Sequence, residues 1–207
     1  MKSTSLFAAR VLLLLATCLG TSAEAASLHL QIVDATGSPS TEAVAFLEPA
    51  SGQTLPKQQH SVQIEQRGRK FSPLVTVIQT GTAVSFPNRD SVRHQVYSFS
   101  SPKIFELKLY SGTGGDPVVF DKPGTVVIGC NIHDQMAAFI QVVDTPYFAK
   151  SDASGKVSID NIQPGKYQLK IWHPNIPASI TMPVQPVTIG NSDVALPILL
   201  TFKTEKK

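Results

Sequence analysis

The chain has almost no cysteine, two residues in 207, Cys18 and Cys130. That excludes a scaffold stapled by disulfides. Charge of either sign is also scarce: 18 Lys and Arg stand against 15 Asp and Glu, for a net +3. A balance that small argues against a nucleic-acid partner or an anionic membrane surface. Long apolar runs are missing, and no stretch reaches the roughly 20 residues needed to span a bilayer. The apolar spacing of three and four that marks a helix is missing as well. No Ser-His-Asp set, carboxylate pair or phosphate-cradling loop stands out. Gly112-Thr113-Gly114-Gly115 has no helix behind it and reads as a turn. These absences argue against an enzyme.

What is present begins with a leader. Lys2 and Arg10 precede the short apolar run Val11–Leu19, and Ala23-Glu24-Ala25 forms an A-x-A cleavage site. Residues 1–25 therefore read as a secretory signal peptide, and the expected destination is a bacterial periplasm. Leu15-Ala16-Thr17-Cys18 resembles a lipoprotein box, but Thr17 sits where such boxes carry a smaller residue, so a lipid anchor is the lesser expectation. Cleavage leaves 182 residues, enough for one large domain or two small ones. Losing Lys2, Arg10 and Glu24 lowers the net charge by one, to +2. Cys130 is then the sole thiol in an oxidising compartment, either buried and inert or held as a ligand.

Apolar residues alternate along the rest of the chain, as in Leu28-Leu30-Ile32, Phe105-Leu107-Leu109 and Tyr167-Leu169-Ile171. Turns such as Thr36-Gly37-Ser38-Pro39, Lys122-Pro123-Gly124 and Gln163-Pro164-Gly165 interrupt them about every ten residues. Period two with regular Pro and Gly punctuation predicts an all-β sandwich or barrel. Gln53–Gln59 is polar and aperiodic and reads as a linker. A second change of texture falls at Asp144-Thr145-Pro146, so a block from Ser61 to Asp144 is set off.

Within that block lies Cys130-Asn131-Ile132-His133-Asp134-Gln135-Met136. A thiolate, an imidazole and a thioether follow one another at steps of three behind the strand-like Val126–Gly129. His94, thirty-six residues earlier, follows the strand-like Ala83–Phe86. A strand-end loop with donors at i, i+3 and i+6 can curl around one point, and a residue from a neighbouring strand can supply the fourth donor. Taken singly, Cys130 would read as a structural thiol and Met136 as core. Together, two imidazoles, one thiolate and a thioether are the ligand set of a blue-copper centre. Zinc also accepts Cys and His, but thioether suits it poorly. His29, His60 and His173 receive no role. Arg67, Arg69 and Lys70 form a basic cluster, readable as a docking point for an acidic redox partner or as a solvated face.

Phe71-Ser72-Pro73, Gly81-Thr82, Val84-Ser85-Phe86, Asn88-Arg89-Asp90 and His94 resemble the first ligand region of cupredoxins. The C-x-x-H-x-x-M loop resembles the short loop of amicyanin, tighter than that of plastocyanin. The resemblance covers about 85 residues and implies a Greek-key β-sandwich holding one type 1 copper ion. It implies equatorial roles for His94, Cys130 and His133 and an axial role for Met136. It further implies an electron port at His133, in an apolar patch that Ile132, Ala137 and Ala138 would build. The chain departs from the family at Gln95, where Asn is common, and at Asn131-Ile132, where Pro is common. The expected function is a one-electron carrier between a dehydrogenase donor and a cytochrome-like acceptor, with amine utilisation suggested by resemblance alone. The alternatives are copper delivery and a scaffold without electron shuttling. Too few histidines remain for a multicopper enzyme.

The leftover pieces, residues 27–52 and 146–202, resemble a carboxypeptidase regulatory-like, transthyretin-type sandwich. Asp34 to Leu47, with the turn Asp34-Ala35-Thr36-Gly37-Ser38-Pro39 and the strand-like Ala43-Val44-Ala45-Phe46-Leu47, resembles that family's opening D-x-x-G-x-P turn and A-V-x-L strand. Neither piece alone could bury both faces of a sheet. The resemblance therefore implies one discontinuous second β-sandwich, with residues 61–144 inserted into it.

Overall fold

The computed structural model describes residues 25–53, 55–57 and 61–204. The leader, apart from Ala25, lies outside them, as do Cys18 and His60. Among the described residues there are strands and turns but no helix, so the all-β expectation holds. None could therefore be long and apolar enough to cross a membrane as a helix.

In chain order the strands are β1 (Ala26–Val33), β2 (Val44–Pro49), β3 (Ser61–Gln63), β4 (Glu65–Gln66), β5 (Phe71–Ser72) and β6 (Val75–Gln79). Next come β7 (Thr82–Ser85), β8 (His94–Ser98), β9 (Phe105–Tyr110), β10 (Val118–Phe120), β11 (Gly124–Gly129) and β12 (Ala137–Val143). The last are β13 (Phe148–Lys150), β14 (Lys156–Ile162), β15 (Gly165–Trp172), β16 (Val184–Ile189) and β17 (Val194–Leu199).

They form two sandwiches. In the first, which we call the site sandwich, the five-stranded sheet β6-β12-β11-β8-β9 faces the sheet β10-β7-β3. The inward residues of both sheets, among them Ile78, Val84, Val96, Phe120, Val126, Ile128, Ala138 and Ile140, share one buried core. In the second, the flanking sandwich, sheet β14-β1-β17 faces sheet β13-β2-β15-β16. Leu30 in β1 stands opposite Val157 in β14, and Val44 in β2 stands opposite Trp172 in β15. Alternation drives these pairings: β1 turns Ala26, Leu28, Leu30 and Ile32 inward and leaves Ser27, His29 and Gln31 outside. Each such Leu or Ile contributes about 1.5–3 kcal/mol by burial.

β12 departs from alternation because both its faces are covered. Ala138, Ile140 and Val142 face the site core, whereas Val143 joins Val44, Phe46, Val75 and Trp172 in a cluster between the sandwiches. Phe139 meets Trp172 there, with ring centroids 5.9 Å apart. Lys150 bridges the same seam, its Nζ donating to Glu42 Oε2 (2.8 Å) and to the Val75 carbonyl (3.1 Å).

Of the stretch read as a linker, residues 53 and 55–57 are described, and two of them are packed. Leu55 is buried in the flanking core, and Gln79 Nε2 donates to the Pro56 carbonyl. A lone leucine in a polar run carries no periodicity, so its burial left no mark in the sequence pattern.

Candidate metal centre

The centre is assembled at the end of the five-stranded sheet where β11 runs out and β12 begins. Cys130 directly follows β11, and the loop back to β12 is closed by its own backbone. Met136 N–H donates to the His133 carbonyl (2.8 Å), and Cys130 N–H donates to the Met136 carbonyl (3.2 Å). The steps of three thus become one tight turn, with His133 held over Cys130. His94 comes from β8, the neighbour of β11 in the sheet. It follows β7, in line with the sequence reading, but with a loop between, and it opens β8 itself. Its first-strand position fixes the backbone in the ladder, opposite Tyr110 of β9.

One ring nitrogen from each of His94 and His133 and the sulfur of Cys130 lie within 4.8 Å of one another. The Cys130 Sγ to Nδ1 distances are 4.0 Å for His94 and 3.9 Å for His133. The two imidazoles meet edge to face, centroids 4.9 Å apart. His94 and Cys130 are buried and His133 is partly exposed. Met136, 1 % exposed, shares the core cluster of Cys130, and its main chain closes the loop. Of the four residues singled out in sequence, three therefore bring their donor atoms together, and the fourth is buried in the same core. His29 and His173 lie in the flanking sandwich.

Nothing in the residue pattern signals what holds His94. Its Nε2 lies 2.8 Å from Asp90 Oδ2, which places the proton on Nε2 and leaves the Nδ1 lone pair facing Cys130. Asp90 is held in turn by two backbone amides, Gly68 N–H on Oδ1 (2.7 Å) and Arg69 N–H on Oδ2 (2.9 Å). The Arg69 amide bond, aided by those of His94 and Gly68, pulls the Asp90 carboxyl down to about 2 against the opposing effect of desolvation. Gly68 and Arg69 are the central residues of the tight β4–β5 turn, with φ of 62° and 57°. Arg67 and Lys70 close that turn through reciprocal backbone bonds. Positive φ at both central positions is the type I′ geometry that matches strand twist, and it aims two consecutive N–H groups outward together.

Two further polar residues, buried Asn88 and partly buried Tyr110, brace the surrounding loop. Asn88 donates to the carbonyls of Val92 and Tyr110, and its Oδ1 accepts the Asp90 N–H. Tyr110 donates to the Phe86 carbonyl and accepts from Gln66 Nε2. Burial pushes the Tyr110 hydroxyl up to about 12, and the negative charge of Cys130 adds to the effect.

Around the centre, Ile132 is half-exposed and Ala137 is exposed, but Ala138 is buried in the core and contributes no surface. A depression of about 430 Å³ lined by Tyr97, Val127, Gly129, Cys130 and Met136 opens on the outer face of the sheet. On the far sandwich, His29 Nδ1 lies 3.2 Å from Ser158 Oγ and its Nε2 lies 3.9 Å from Asp193. This is a Ser-His-Asp order that the sequence did not reveal, since His29 is on β1, Ser158 on β14 and Asp193 on the turn before β17. The Ser158 hydroxyl donates to Asp160 instead, and the group lies on an open, solvated face.

A family profile described as "fn3_3: Polysaccharide lyase family 4, domain II" matches residues 124–195, from β11 into β17. None of the curated proteins compared matches the chain. Among solved structures, it is similar to a copper-containing nitrite reductase from Thermus scotoductus SA-01, with 25% identity and a TM-score of 0.38. That match covers 55% of this chain but spans only 28% of the reductase. A purple cupredoxin from Nitrosopumilus maritimus is 26% identical over 40% of this chain and 99% of its own, with a TM-score of 0.34. The reduced Cu(I) form of the amicyanin variant P52G is 15% identical over 49% of this chain and 99% of its own, with a TM-score of 0.38.

Proposed function

We propose that this protein binds one type 1 copper ion through His94, Cys130, His133 and Met136 and works as a one-electron carrier in the periplasm. The observation that carries the reading is the buried convergence of two imidazole nitrogens on one thiol sulfur. The sulfur-to-nitrogen separations of 3.9 and 4.0 Å, with all three donor atoms within 4.8 Å of one another, suit one ion held between them. The donor chemistry favours copper, since a thiolate and two imidazoles, with the thioether of Met136 in the same core, form a softer set than zinc prefers.

Bound there, copper would supply exchange between Cu(I) and Cu(II). The chain's own residues do the rest. Asp90 fixes the tautomer and the ring plane of His94. The burial of His94, Cys130 and Met136 keeps water from the donors. The backbone bonds of the 130–136 loop hold the donors in one arrangement, so little rearranges between oxidation states. His133 is the donor nearest solvent and, beside exposed Ile132, is the natural exit for an electron. A dehydrogenase donor and a cytochrome-like acceptor remain the proposed partners. Purified apo-protein given Cu(II), then cycled with ascorbate and an oxidant, tests the reading. Reversible one-electron cycling supports a carrier; uptake without cycling supports copper delivery instead.

We also infer the domain plan: residues 61–144 form one domain inserted into a sandwich built from residues 27–52 and 146–202. In its support, β1 and β2 pair only with strands that follow residue 146.

A further inference from the structure

The turn that holds Asp90 is also where the chain's positive charge collects. Arg67, Arg69 and Lys70 sit on it, and Arg89 and Arg93 flank Asp90 on the loop it grips. Against these five cations stand only Glu65 and Asp90, a local excess of +3. The whole chain carries +3, so the charges of every other residue sum to zero. The cations are displayed to solvent: the Arg67 side chain is 67% exposed, that of Arg89 is 44% exposed, and Arg69, Lys70 and Arg93 are exposed. Glu65 reaches Arg89 (3.1 Å) and Arg67 (3.7 Å) and orients both without cancelling the excess. Asp90 spends its charge inward, on two amides and on His94. The patch is one hydrogen-bonded residue away from a donor of the metal centre, and the ring of His94 touches that of the half-exposed His133.

We infer that this basic turn is the docking surface for the acidic face of a redox partner, which it brings up against the His94–His133 edge of the centre. The inference rests on the carrier reading. Separated charges act together at low salt, where the Debye length exceeds the width of the patch, and are screened from one another at high salt. A single-sign patch beside the exchange site raises the encounter rate for an oppositely charged partner by 10-fold or more. A protein partner fits better than an anionic membrane, because the cations lie on the turn and loop that hold Asp90, the partner of His94, and no exposed apolar run accompanies them for insertion.

The test uses the copper-loaded, reduced full chain and two outer-sphere oxidants of opposite charge, hexacyanoferrate(III) and tris(phenanthroline)cobalt(III). Oxidation by the anion should slow about tenfold between 10 mM and 500 mM salt, and oxidation by the cation should speed up or stay level. The variant Arg67→Glu/Lys70→Glu should lose most of the low-salt rate with the anion, and Arg67→Gln/Lys70→Gln should fall between it and the parent. Lys122→Glu/Lys166→Glu changes net charge equally but away from the turn, and should stay within about twofold of the parent. Excess polyglutamate should slow the parent with either oxidant and spare the Glu variant. Equal effects of the near and distant variants would overturn the docking surface while leaving the carrier intact. Failure to exchange electrons with either oxidant would overturn the carrier reading, and this one with it. Retention on phosphatidylglycerol vesicles that the Glu variant loses, with polyglutamate inert, would replace a protein partner by a membrane surface.

Discussion

Asp90 accepts three hydrogen bonds on its two oxygens, from Gly68, Arg69 and His94. Asparagine offers one acceptor oxygen, so Asp90→Asn turns an amide NH2 toward at least one of those donors. Copper affinity should fall about 10–100-fold, as read by titration against a competing chelator, with the fold retained. In the flanking sandwich, buried His173 donates from Nε2 to the Thr41 carbonyl and accepts the Asn175 N–H on Nδ1. That neutral ring is stabilised by its surroundings: burial pushes its pKa below the ordinary 6.5, although Glu42 and Asp34 act the other way. A proton is therefore bound more readily by the unfolded chain. The contribution is complete above about pH 6.5, declines as pH falls from there to the folded-state value, and is then level. The Tm of the parent should drop more between pH 7 and pH 5 than that of His173→Gln. At this scale Cys130, His133 and Met136 were legible because a loop writes its donors at fixed steps. Asp90 was not, because the groups that hold it are backbone amides, which leave no trace in residue identity.

Two elements of the flanking sandwich repeat one design. Asp34-Ala35-Thr36-Gly37 and Asp152-Ala153-Ser154-Gly155 each turn on an aspartate that accepts the N–H and hydroxyl of the residue two ahead and the N–H of the residue four ahead. Their glycines have φ of 80° and 77°, yet their surroundings differ. A Cβ on Gly37 would meet nothing within 4 Å, whereas one on Gly155 would stand 2.4 Å from the Ile32 carbonyl oxygen. Gly37→Ala should cost about 1 kcal/mol, from the left-handed backbone alone. Gly155→Ala should cost about 2–4 kcal/mol, because strand β1 must also give way. Urea unfolding of the pair measures the difference. Strands were legible from alternation, and the turns from Gly, Pro and Asp. The start of β8 at His94 was not, since Arg93-His94-Gln95 carries no apolar signal of its own.

For the whole molecule, the seam of Val44, Phe46, Val75, Val143 and Trp172 joins the two sandwiches. Trp172→Ala should cost about 3–5 kcal/mol and should uncouple the sandwiches, so that one calorimetric transition becomes two. The covered outer face of β12 is what a period-two reading could not foresee, because a strand buried on both sides loses its alternation. The account depends above all on His94, Cys130 and His133 closing on one copper ion. The direct measurement is the visible and EPR spectrum of purified apo-protein after one equivalent of Cu(II), beside that of Cys130→Ser. The account predicts an intense blue thiolate-to-copper band in the parent and its complete loss in the variant. A colourless Cu(II) complex of the parent, or colour retained by Cys130→Ser, would contradict it.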